Sequence, residues 1–345
     1  MLVPLDPHGP AAPQPPLGPA LDRPLLDEVD PGAVHTVMHT SGTTGEPREV
    51  ELTYANHLAS AIASADALGV ETDDRWLCPL PLHHVAGLNV LIRSAINRTT
   101  TVLHQCFEVD RVKAALEAGE VTLASLVPTM LQRLRDAGLR RTPRLRAIAL
   151  GGGPIPPGLL EWAADSGIPV VPVYGMTESC SQVVAGSPGR GLRGVELQVA
   201  DDGEILVRGP MVAPQSIGED GWLHTGDLGH LDREGLLHVE GRKKELIVTG
   251  GENVAPLEVE RVLASHPAVV EAAVTGVPDP EWGEVIVAFL VLRPAVAPEE
   301  LRAWCRERLA PFKVPKSFRL VAELPRNQTG KLMRERLDSL ASAPP

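Results

Sequence analysis

Aromatic residues are scarce in this chain, and so are lysines. Phenylalanine, tryptophan and tyrosine together make up 3% of its 345 residues, which excludes an aromatic core and predicts an aliphatic one. The sequence holds six lysines against 26 arginines. A coding bias explains such a ratio by itself, but the lysines that remain are also candidates for roles that suit lysine better than arginine.

Long apolar runs, an excess of positive charge and clustered cysteines are missing as well. No stretch of 18 consecutive apolar residues occurs, which excludes a membrane-spanning helix, and the N-terminus lacks the basic start and apolar run of a secretory signal. The net charge of −12 argues against a nucleic-acid partner. The four cysteines are too scattered for a zinc motif or a disulfide framework, and a reducing cytoplasm fits them best: Cys78, Cys106, Cys180 and Cys305.

The length and the distribution of proline indicate the domain organisation. At about 150 residues per domain, 345 residues predict two domains, or one large and one small. Nine of the 33 prolines fall within residues 1–31. Because this segment has neither helical nor strand periodicity, we interpret it as an extended, loosely packed arm.

Apolar strand candidates alternate with amphipathic helix candidates from residue 33 to about residue 174, which predicts a mostly parallel sheet covered by helices. The strands are predicted at 34–39, 48–53, 76–80, 99–104, 122–127, 145–150 and 169–174. The helices are predicted to follow Thr53 as far as Leu68, and near 85–97, 109–118, 128–137 and 156–165. One face of the first helix should carry Leu58, Ala61, Ile62, Ala65 and Leu68.

The pattern changes after about residue 190. Residues 196–209 and 230–242 predict two β-hairpins. A helix over 256–264, strands over 269–278 and 285–292, and a helix near 298–309 predict a small α+β unit. We place the boundary before this unit at Gly241-Arg242. The predicted fold class is therefore α/β, with a smaller α+β domain at the C-terminus.

The strongest local signal is the run HTSGTTGEPREV, residues 39–50. A strand is predicted on each side of it, and its glycines allow backbone N–H groups to converge. Hydroxyl groups along the run add further donors, which suits a phosphate chain. The run lacks the Lys-Ser/Thr pair that opens a helix in P-loop kinases. Taken alone, it fits an ordinary surface turn better than a binding site.

Six further segments accompany this run in order, and together they resemble the AMP-forming acyl and aryl acid ligases, the adenylate-forming family. The segments are PLPLHHVAGL (79–88), ALGGGPIP (149–156), VYGMTES (173–179), GWLHTGDLG (221–229), GRKKELIVTGGENVAPLEVE (241–260) and LPRNQTGKLMR (324–334). The resemblance covers about residues 34–337. It implies the family's large adenylate-forming domain of layered, mostly parallel sheets with helices, followed by a small mobile lid.

The resemblance also implies the domain limits. Residues 1–31 form the arm, residues 32–240 the adenylation domain that binds ATP and the acid, and residues 241–345 the lid. Most relatives carry a substantial further segment ahead of the phosphate loop, so we expect the large domain to be shortened at its N-terminus.

Two half-reactions are implied by the family. A carboxylate attacks the α-phosphate of ATP, giving an acyl-adenylate and pyrophosphate, and a thiol then displaces AMP. The acid is already ionised at neutral pH, so the protein must supply oriented donors and positive charge rather than a general base. Lys331, in the loop 327–331, is the implied catalytic residue that neutralises the carboxylate and phosphate oxygens.

The matched residues of the ATP site have implied roles. Thr177 donates to the α-phosphate, and Glu178 helps to hold Mg²⁺, which prefers oxygen ligands. Tyr174 stacks on adenine, Asp227 accepts both ribose hydroxyls, and Arg242 also touches the ribose. The remaining ATP- and AMP-binding positions are Thr40, Ser41, Gly42, Thr43, Thr44, Gly45, Arg48, Gly151, Gly152, Gly153, Gly175 and Met176.

One position in the phosphate loop departs from the family. Arg48 stands where relatives usually have lysine. The positive charge is kept, and arginine is a competent phosphate ligand, so we expect activity to survive this replacement.

The family's hinge matches Lys244. The resemblance implies that the lid rotates there between the half-reactions. This rotation would exchange Lys331 for the Gly250-Gly251 loop on the side where the thiol enters.

The run PLPLHHVAGLNVLIRS resembles a narrower subgroup, the o-succinylbenzoate–CoA ligases of menaquinone biosynthesis. That subgroup carries an arginine nine residues after the motif histidine, which here are Arg93 and His84. Its substrate has two carboxylates, of which one is activated and the other needs a positive partner. Arg93 would supply that partner; the alternative is an ordinary exposed helix residue. His83 and His84 are interpreted as walls of the acid pocket rather than metal ligands, because no cysteine or carboxylate cluster completes a metal site.

Three other functions remain open. They are a general aryl- or fatty-acyl-CoA ligase, an adenylating enzyme that loads a carrier protein, and a non-catalytic nucleotide-binding relic. The intact Lys331 and Glu178 argue against the relic, and the lack of a fused carrier domain favours CoA. The expected partners are a small carboxylic acid, ATP and CoA. Relatives are often dimers, which leaves a homodimer open beside a monomer.

Overall fold

The computed structural model describes residues 2–4, 28–41, 47–326 and 332–341. The helices are α1 Tyr54–Leu68, α2 Val85–Asn97, α3 Val109–Glu117, α4 Pro128–Asp136, α5 Leu159–Asp165, α6 Pro256–Ala264, α7 Pro298–Arg306 and α8 Arg334–Ala341. The first ten strands are β1 Leu2–Pro4, β2 Val34–Ser41, β3 Pro47–Thr53, β4 Arg75–Cys78, β5 Thr100–Leu103, β6 Leu123–Leu126, β7 Ala147–Leu150, β8 Val170–Met176, β9 Ser181–Gly186 and β10 Gly189–Gly191. The others are β11 Glu196–Val199, β12 Glu204–Arg208, β13 Leu223–Leu231, β14 Leu237–Arg242, β15 Ile247–Thr249, β16 Glu252–Val254, β17 Val269–Asp279, β18 Gly283–Leu292 and β19 Ser317–Leu320.

The chain divides into two compact units. The first comprises Met1–Gly152, Ala163–Leu197 and Val207–His224. The second comprises Gly153–Trp162, Gln198–Leu206 and Thr225–Pro345.

A mostly parallel sheet forms the centre of the first unit. Its strands lie in the order β1-β5-β4-β6-β7-β8, all parallel, and β9 and β10 continue it with antiparallel pairing. β6 and β7 are buried throughout, and Leu77 of β4, Val102 of β5 and Ile148 of β7 are fully inaccessible to solvent. This confirms the predicted α/β class, and it brings the carboxyl ends of β6, β7 and β8 to one edge, where ligands bind in such sheets.

Three features of the first unit differ from expectation. Strands β2 and β3, predicted at 34–39 and 48–53 as part of the mostly parallel sheet, pair with each other in a separate two-stranded antiparallel sheet. Leu2–Pro4, within the segment interpreted as an arm, forms strand β1 in parallel register with Thr101 to Leu103. Leu58 and Ile62, expected on one apolar face of α1, are 49% and 44% exposed. Ala61 and Leu68 of that face are buried as predicted, but four of the seven side chains that α1 buries are polar: Asn56, His57, Ser60 and Ser64. They turn inward because most of them have hydrogen-bond partners on other elements, whereas an unpartnered buried polar group would cost free energy.

The second unit contains the predicted hairpin at 230–242 and the predicted α+β unit, together with residues 198–206 of the hairpin predicted at 196–209. β11 and β12 are neighbours, and β13 pairs with β14 in an antiparallel ladder. A separate sheet follows in the order β16-β15-β18-β17, with β19 parallel to β18. Helices α6 and α7 cover this sheet through a core that includes Val259, Leu263, Val274, Leu290 and Leu301. No helix within the described residues has the length and apolar character needed to cross a bilayer.

Candidate active site

A sharp turn follows β8 and carries two of the predicted catalytic residues, Thr177 and Glu178. The backbone N–H of Cys180 donates to the carbonyl of Thr177 at 3.0 Å, which closes the turn. A Cβ on Gly175 would overlap the backbone carbonyl of Ser181, so only glycine fits at that position. The tight geometry therefore places Thr177 and Glu178 just beyond the carboxyl end of β8.

The backbone of this turn is strained at its end. Cys180 and Ser181 have φ angles of 51° and 86°, a left-handed region that costs non-glycine residues free energy. Local hydrogen bonds offset part of that cost. The N–H of Met176 donates to Ser179 Oγ at 3.1 Å, and the N–H of Ala213 donates to the carbonyl of Glu178 at 2.8 Å.

Glu178 suits a magnesium ion bound together with a nucleotide. Its half-buried carboxylate makes no hydrogen bond or ion pair with the described residues. The described part of the chain also contains no group of three or more His, Cys, Asp and Glu side chains that could hold a metal. Mg²⁺ commonly binds through one or two carboxylates plus substrate phosphates. A single carboxylate from Glu178, completed by phosphate oxygens of a nucleotide, fits that coordination.

The glycine run after β7 approaches its neighbours closely. A Cβ on Gly151 would lie 2.7 Å from Cγ2 and 2.8 Å from the carbonyl oxygen of Val173, the residue before Tyr174. Gly152 has a φ of 82°, which also favours glycine. Gly153 belongs to the second unit, and a Cβ there would meet nothing within 4 Å. Gly151 therefore allows β7 to lie against β8 next to the predicted adenine-stacking residue.

The predicted phosphate loop connects two paired strands. β2 enters it and β3 leaves it, with Thr40 opposite Arg48 in the ladder and Ser41 at the end of β2. Thr40 Oγ1 lies 3.4 Å from the carbonyl oxygen of Arg48. The other predicted positions of this loop, Gly42, Thr43, Thr44 and Gly45, lie outside the described residues, and so does Lys331.

His83 and His84 lie at the start of α2. Their rings are 4.4 Å apart, and His84 is the N-cap residue of the helix. His83 lines a cleft of about 440 Å³ together with Leu82 and Leu88 and, across from them, residues 36–39 of β2. The structure thus places His83 on the wall of a cavity beside the strand that enters the phosphate loop.

Arg93 is a buried side chain of α2 and not an exposed helix residue. It is 3% exposed, Nη2 donates to Ser60 Oγ at 2.8 Å, and Nη1 lies 3.4 Å from Gln182 Oε1. Burial lowers the pKa of Arg93 to about 10, so it remains a cation at neutral pH. Its Nε has no partner, and no carboxylate pairs with it among the described residues. An unpaired buried cation is expensive unless an anion joins it.

A buried polar network surrounds Arg93, and sequence reasoning did not identify it as part of the site. Its members are Thr36, His57, Ser60, Asn89, Cys180 and Gln182. One signal was available in the sequence. Asn56, Ser60 and Ser64 recur every four residues on α1, a spacing that puts three polar side chains on one helix face.

In the second unit, Asp227 and Arg242 lie opposite each other on β13 and β14. Arg242 Nε is 2.8 Å from Asp227 Oδ1, and Asp227 is only 4% exposed. The structure therefore brings together the two residues predicted to contact the ribose.

The predicted hinge follows directly. Lys244 is exposed in a short turn, and its neighbour Lys243 contacts Asp202 and Glu204 at 2.5 and 3.1 Å. Gly250 and Gly251 form the turn between β15 and β16, with φ angles of 59° and 84°. Both glycines are exposed.

Family models match most of the chain. Residues 5–215 match the AMP-binding enzyme family, and residues 258–331 match the AMP-binding enzyme C-terminal domain. The chain belongs to the AMP-binding enzymes.

Individual relatives of this AMP-binding enzyme have names that specify a narrower activity. The 2-succinylbenzoate–CoA ligase of Bacillus subtilis is 45% identical over 333 residues, which cover 88% of this chain and 68% of that protein. The structure of B. subtilis o-succinylbenzoate CoA synthetase in complex with the acyl-adenylate intermediate OSB-AMP superimposes with a TM-score of 0.82 at 45% identity. That alignment covers 89% of this chain and 69% of the other. A second structure of that synthetase, with ATP and a magnesium ion, gives a TM-score of 0.81 at 44% identity and covers 89% and 70% of the two chains.

Proposed function

We propose that this AMP-binding enzyme activates 2-succinylbenzoate with ATP and transfers the acyl group to CoA, as a step of menaquinone biosynthesis. The relatives that carry the name of this activity support it. Within the structure, Arg93 carries the proposal, because a buried cation without a counter-charge fits a substrate that keeps a second carboxylate.

The first half-reaction needs positive charge and oriented donors around the α-phosphate. Thr177 donates a hydroxyl hydrogen to an α-phosphate oxygen, and Lys331 neutralises the approaching carboxylate and phosphate oxygens. Mg²⁺, held by Glu178 and nucleotide oxygens, supplies charge neutralisation on the phosphates. Thr40, Arg48 and the rest of the phosphate loop bind the departing pyrophosphate.

The nucleoside is bound by other residues. Tyr174 stacks on adenine beside the backbone of Gly151 and Gly152. Asp227 accepts hydrogen bonds from the ribose hydroxyls, and its ion pair with Arg242 keeps its carboxylate oriented.

The acid sits with one carboxylate at the α-phosphate and the other towards Arg93. Binding then gives the guanidinium the ionic partner that the described residues do not provide, and Gln182 with its unpartnered Nε2 can donate to the same carboxylate. A monocarboxylate leaves Arg93 unpaired. The acid's second charge therefore determines specificity.

The second half-reaction uses the lid. Rotation at Lys244 withdraws Lys331 and brings the Gly250-Gly251 loop towards the CoA thiol, which attacks the acyl carbon and releases AMP. The division into arm 1–31, adenylation domain 32–240 and lid 241–345 remains a prediction, as does a homodimer. We also propose a cytoplasmic location, which the four free cysteines support.

Product analysis by mass spectrometry tests the proposed function. The enzyme is incubated with ATP, Mg²⁺ and CoA and with one acid at a time from 2-succinylbenzoate, benzoate and a fatty acid. We expect 2-succinylbenzoyl-CoA and AMP from the first acid. Products from the monocarboxylates alone would refute the specificity. An adenylate that passes to a phosphopantetheine-loaded carrier protein but not to CoA would favour the carrier-loading alternative.

A further inference from the structure

We propose that Ser60 and Asn89 are positioning residues that keep the Thr177–Cys180 turn in its reactive geometry and connect it to Arg93. The inference rests on the proposed roles of Thr177, Glu178 and Arg93. It concerns residues of α1 and α2 whose side chains donate hydrogen bonds to the backbone of this turn.

The carbonyl of Cys180 is the point of attachment. It accepts a hydrogen bond from Ser60 Oγ at 2.8 Å and another from Asn89 Nδ2 at 2.9 Å. Ser60 and Asn89 are 0% and 1% exposed, so water does not compete for these bonds. Both lone pairs of this carbonyl are thus used by side chains from two different helices.

This attachment lies where the backbone is strained. Cys180 and Ser181 are the two consecutive residues with left-handed φ angles, and Glu178 is two residues earlier. A strained conformation persists only where surrounding contacts over-determine it. The two hydrogen bonds to Cys180 provide that constraint, so losing one would allow the turn to relax and would displace Thr177 and Glu178.

The direction of each hydrogen bond follows from the donor groups. Arg93 can only donate, so Ser60 Oγ accepts from its Nη2 and must direct its own single hydrogen to Cys180. Ser60 is therefore a bridge from the guanidinium proposed to bind the acid to the turn proposed to bind the α-phosphate.

Asn89 forms a second bridge, to the strand that enters the phosphate loop. Because its amide nitrogen donates to Cys180, its Oδ1 faces His57 Nδ1 at 2.9 Å and requires a hydrogen there. His57 Nε2 then accepts from Thr36 Oγ1 on β2 at 2.9 Å. One buried network thus connects three parts of the site.

The chain offers a matched control for Ser60. Ser64 lies one turn later on α1, is 2% exposed, and its Oγ has no hydrogen-bond partner among the described residues. Ser64→Ala therefore removes the same atom from the same helix face without touching the network.

The experiment compares Ser60→Ala, Ser64→Ala and wild type in each half-reaction. We expect Ser60→Ala to lower the kcat of adenylation about 10- to 100-fold, the scale of a misplacement of roughly 1 Å. The half-saturating Mg²⁺ concentration should rise several-fold, since Glu178 moves, whereas transfer from supplied acyl-adenylate to CoA should stay within about threefold. Ser64→Ala should match wild type, and Ser60→Thr, which restores the hydroxyl, should recover most of the rate.

Two results would overturn the inference: Ser60→Ala behaving like Ser64→Ala, or an equal loss in both half-reactions at an unchanged Mg²⁺ requirement. If Ser60→Ala does not fold, Ser60→Cys replaces it, with an intermediate loss expected from its weaker hydrogen bond. The acid used is whichever one the wild type adenylates, and Mg²⁺-dependent ATP binding is the readout if it adenylates none. The test of the positioning role therefore does not depend on whether 2-succinylbenzoate is the substrate.

Discussion

Arg242 Nε lies 2.8 Å from Asp227 Oδ1, directly across the β13–β14 ladder. The pair joins the carboxylate proposed to bind ribose to a residue at the start of the predicted lid. Asp227 is almost fully buried whereas the Arg242 side chain is 37% exposed, so solvent screens the ion pair only in part, and the contact restricts the orientation of the carboxylate.

Replacing Asp227 by asparagine should weaken nucleotide binding. The amide keeps the shape but loses the charge-assisted hydrogen bonds, which are worth about 1.5–3 kcal/mol. We expect the KM for ATP to rise at least about tenfold with a smaller change in kcat, measured by pyrophosphate release at varied ATP. Asp232→Asn is the control, because Asp232 lies on the same hairpin but bonds His238 instead. Equal KM values for both variants would contradict the assignment.

Lys331→Ala should separate the two half-reactions. Because Lys331 is proposed to act only while the acid attacks ATP, adenylate formation should be lost while supplied acyl-adenylate still reacts with CoA. ATP–pyrophosphate exchange measures the first step, and CoA thioester formation measures the second. Lys316→Ala, another lid lysine, should leave both steps unchanged. A parallel loss of both steps in Lys331→Ala would argue against the role.

The Arg93→Ala variant should lose more activity on the diacid than on a monocarboxylic acid. Activity on 2-succinylbenzoate should fall about 100-fold further than activity on a benzoate analogue, since only the diacid uses the guanidinium; this equals about 2.7 kcal/mol of differential binding. The measurement is kcat/KM for each acid. Arg133→Ala, at an exposed position of α4, serves as the control. A similar loss on both acids would assign Arg93 a purely structural role.

Protonation of His57 should contribute to acid sensitivity. Burial lowers the pKa of His57 to about 4, with the Asn89 hydrogen bond opposing the shift. Between about pH 6.5 and pH 4 the unfolded chain binds a proton there that the folded protein does not, so stability falls as pH falls through this window. In urea unfolding, His57→Gln should reduce the stability difference between pH 7 and pH 5 by on the order of 1–2 kcal/mol. An unchanged difference would contradict a lowered pKa for His57 in the folded protein.

Arg334 should be essential for the stability of the lid. Its guanidinium lies 2.8 Å from Glu245 Oε2 and 2.7 Å from Glu260 Oε1, and burial opposes but does not outweigh these carboxylates, which raise the pKa of Arg334. Arg334→Met leaves two partly buried carboxylates without a counter-charge and should cost about 3–5 kcal/mol in urea unfolding.

The matched variant for Arg334 is Lys313→Met. It removes a single ion pair with the more exposed Glu258 at 2.7 Å and should cost about 1 kcal/mol or less. If both variants lost the same free energy of unfolding, the greater burial of the Arg334 ion pairs would not explain their contribution to stability.

Local elements were largely predictable from the sequence. The helix predicted near 85–97 is α2 Val85–Asn97, and the helix predicted over 256–264 is α6 Pro256–Ala264. Such elements follow from apolar periodicity and from capping residues close in sequence. Short irregular strands such as β10 and β19 were missed, because neither has the length or alternation that marks a strand.

Residues of the candidate site were predictable only where they belong to short sequence motifs. Thr177, Glu178, Asp227 and Lys331 could be proposed from short runs of neighbouring residues. The contact of Arg93 with Ser60 could not, since 33 positions separate them and no local pattern pairs them.

By itself, the sequence determined the family, the order of the helices and strands and the candidate residues of the phosphate and ribose sites, because each depends on residues near one another in the chain. Only the tertiary structure decided which face of α1 turns inward. Local periodicity favours burying Leu58 and Ile62, but hydrogen-bond partners from α2 and from the turn before β9 favour burying polar side chains of α1 instead. The same long-range contacts place Arg93 inside the protein, in the network that includes the turn proposed to carry the catalytic residues.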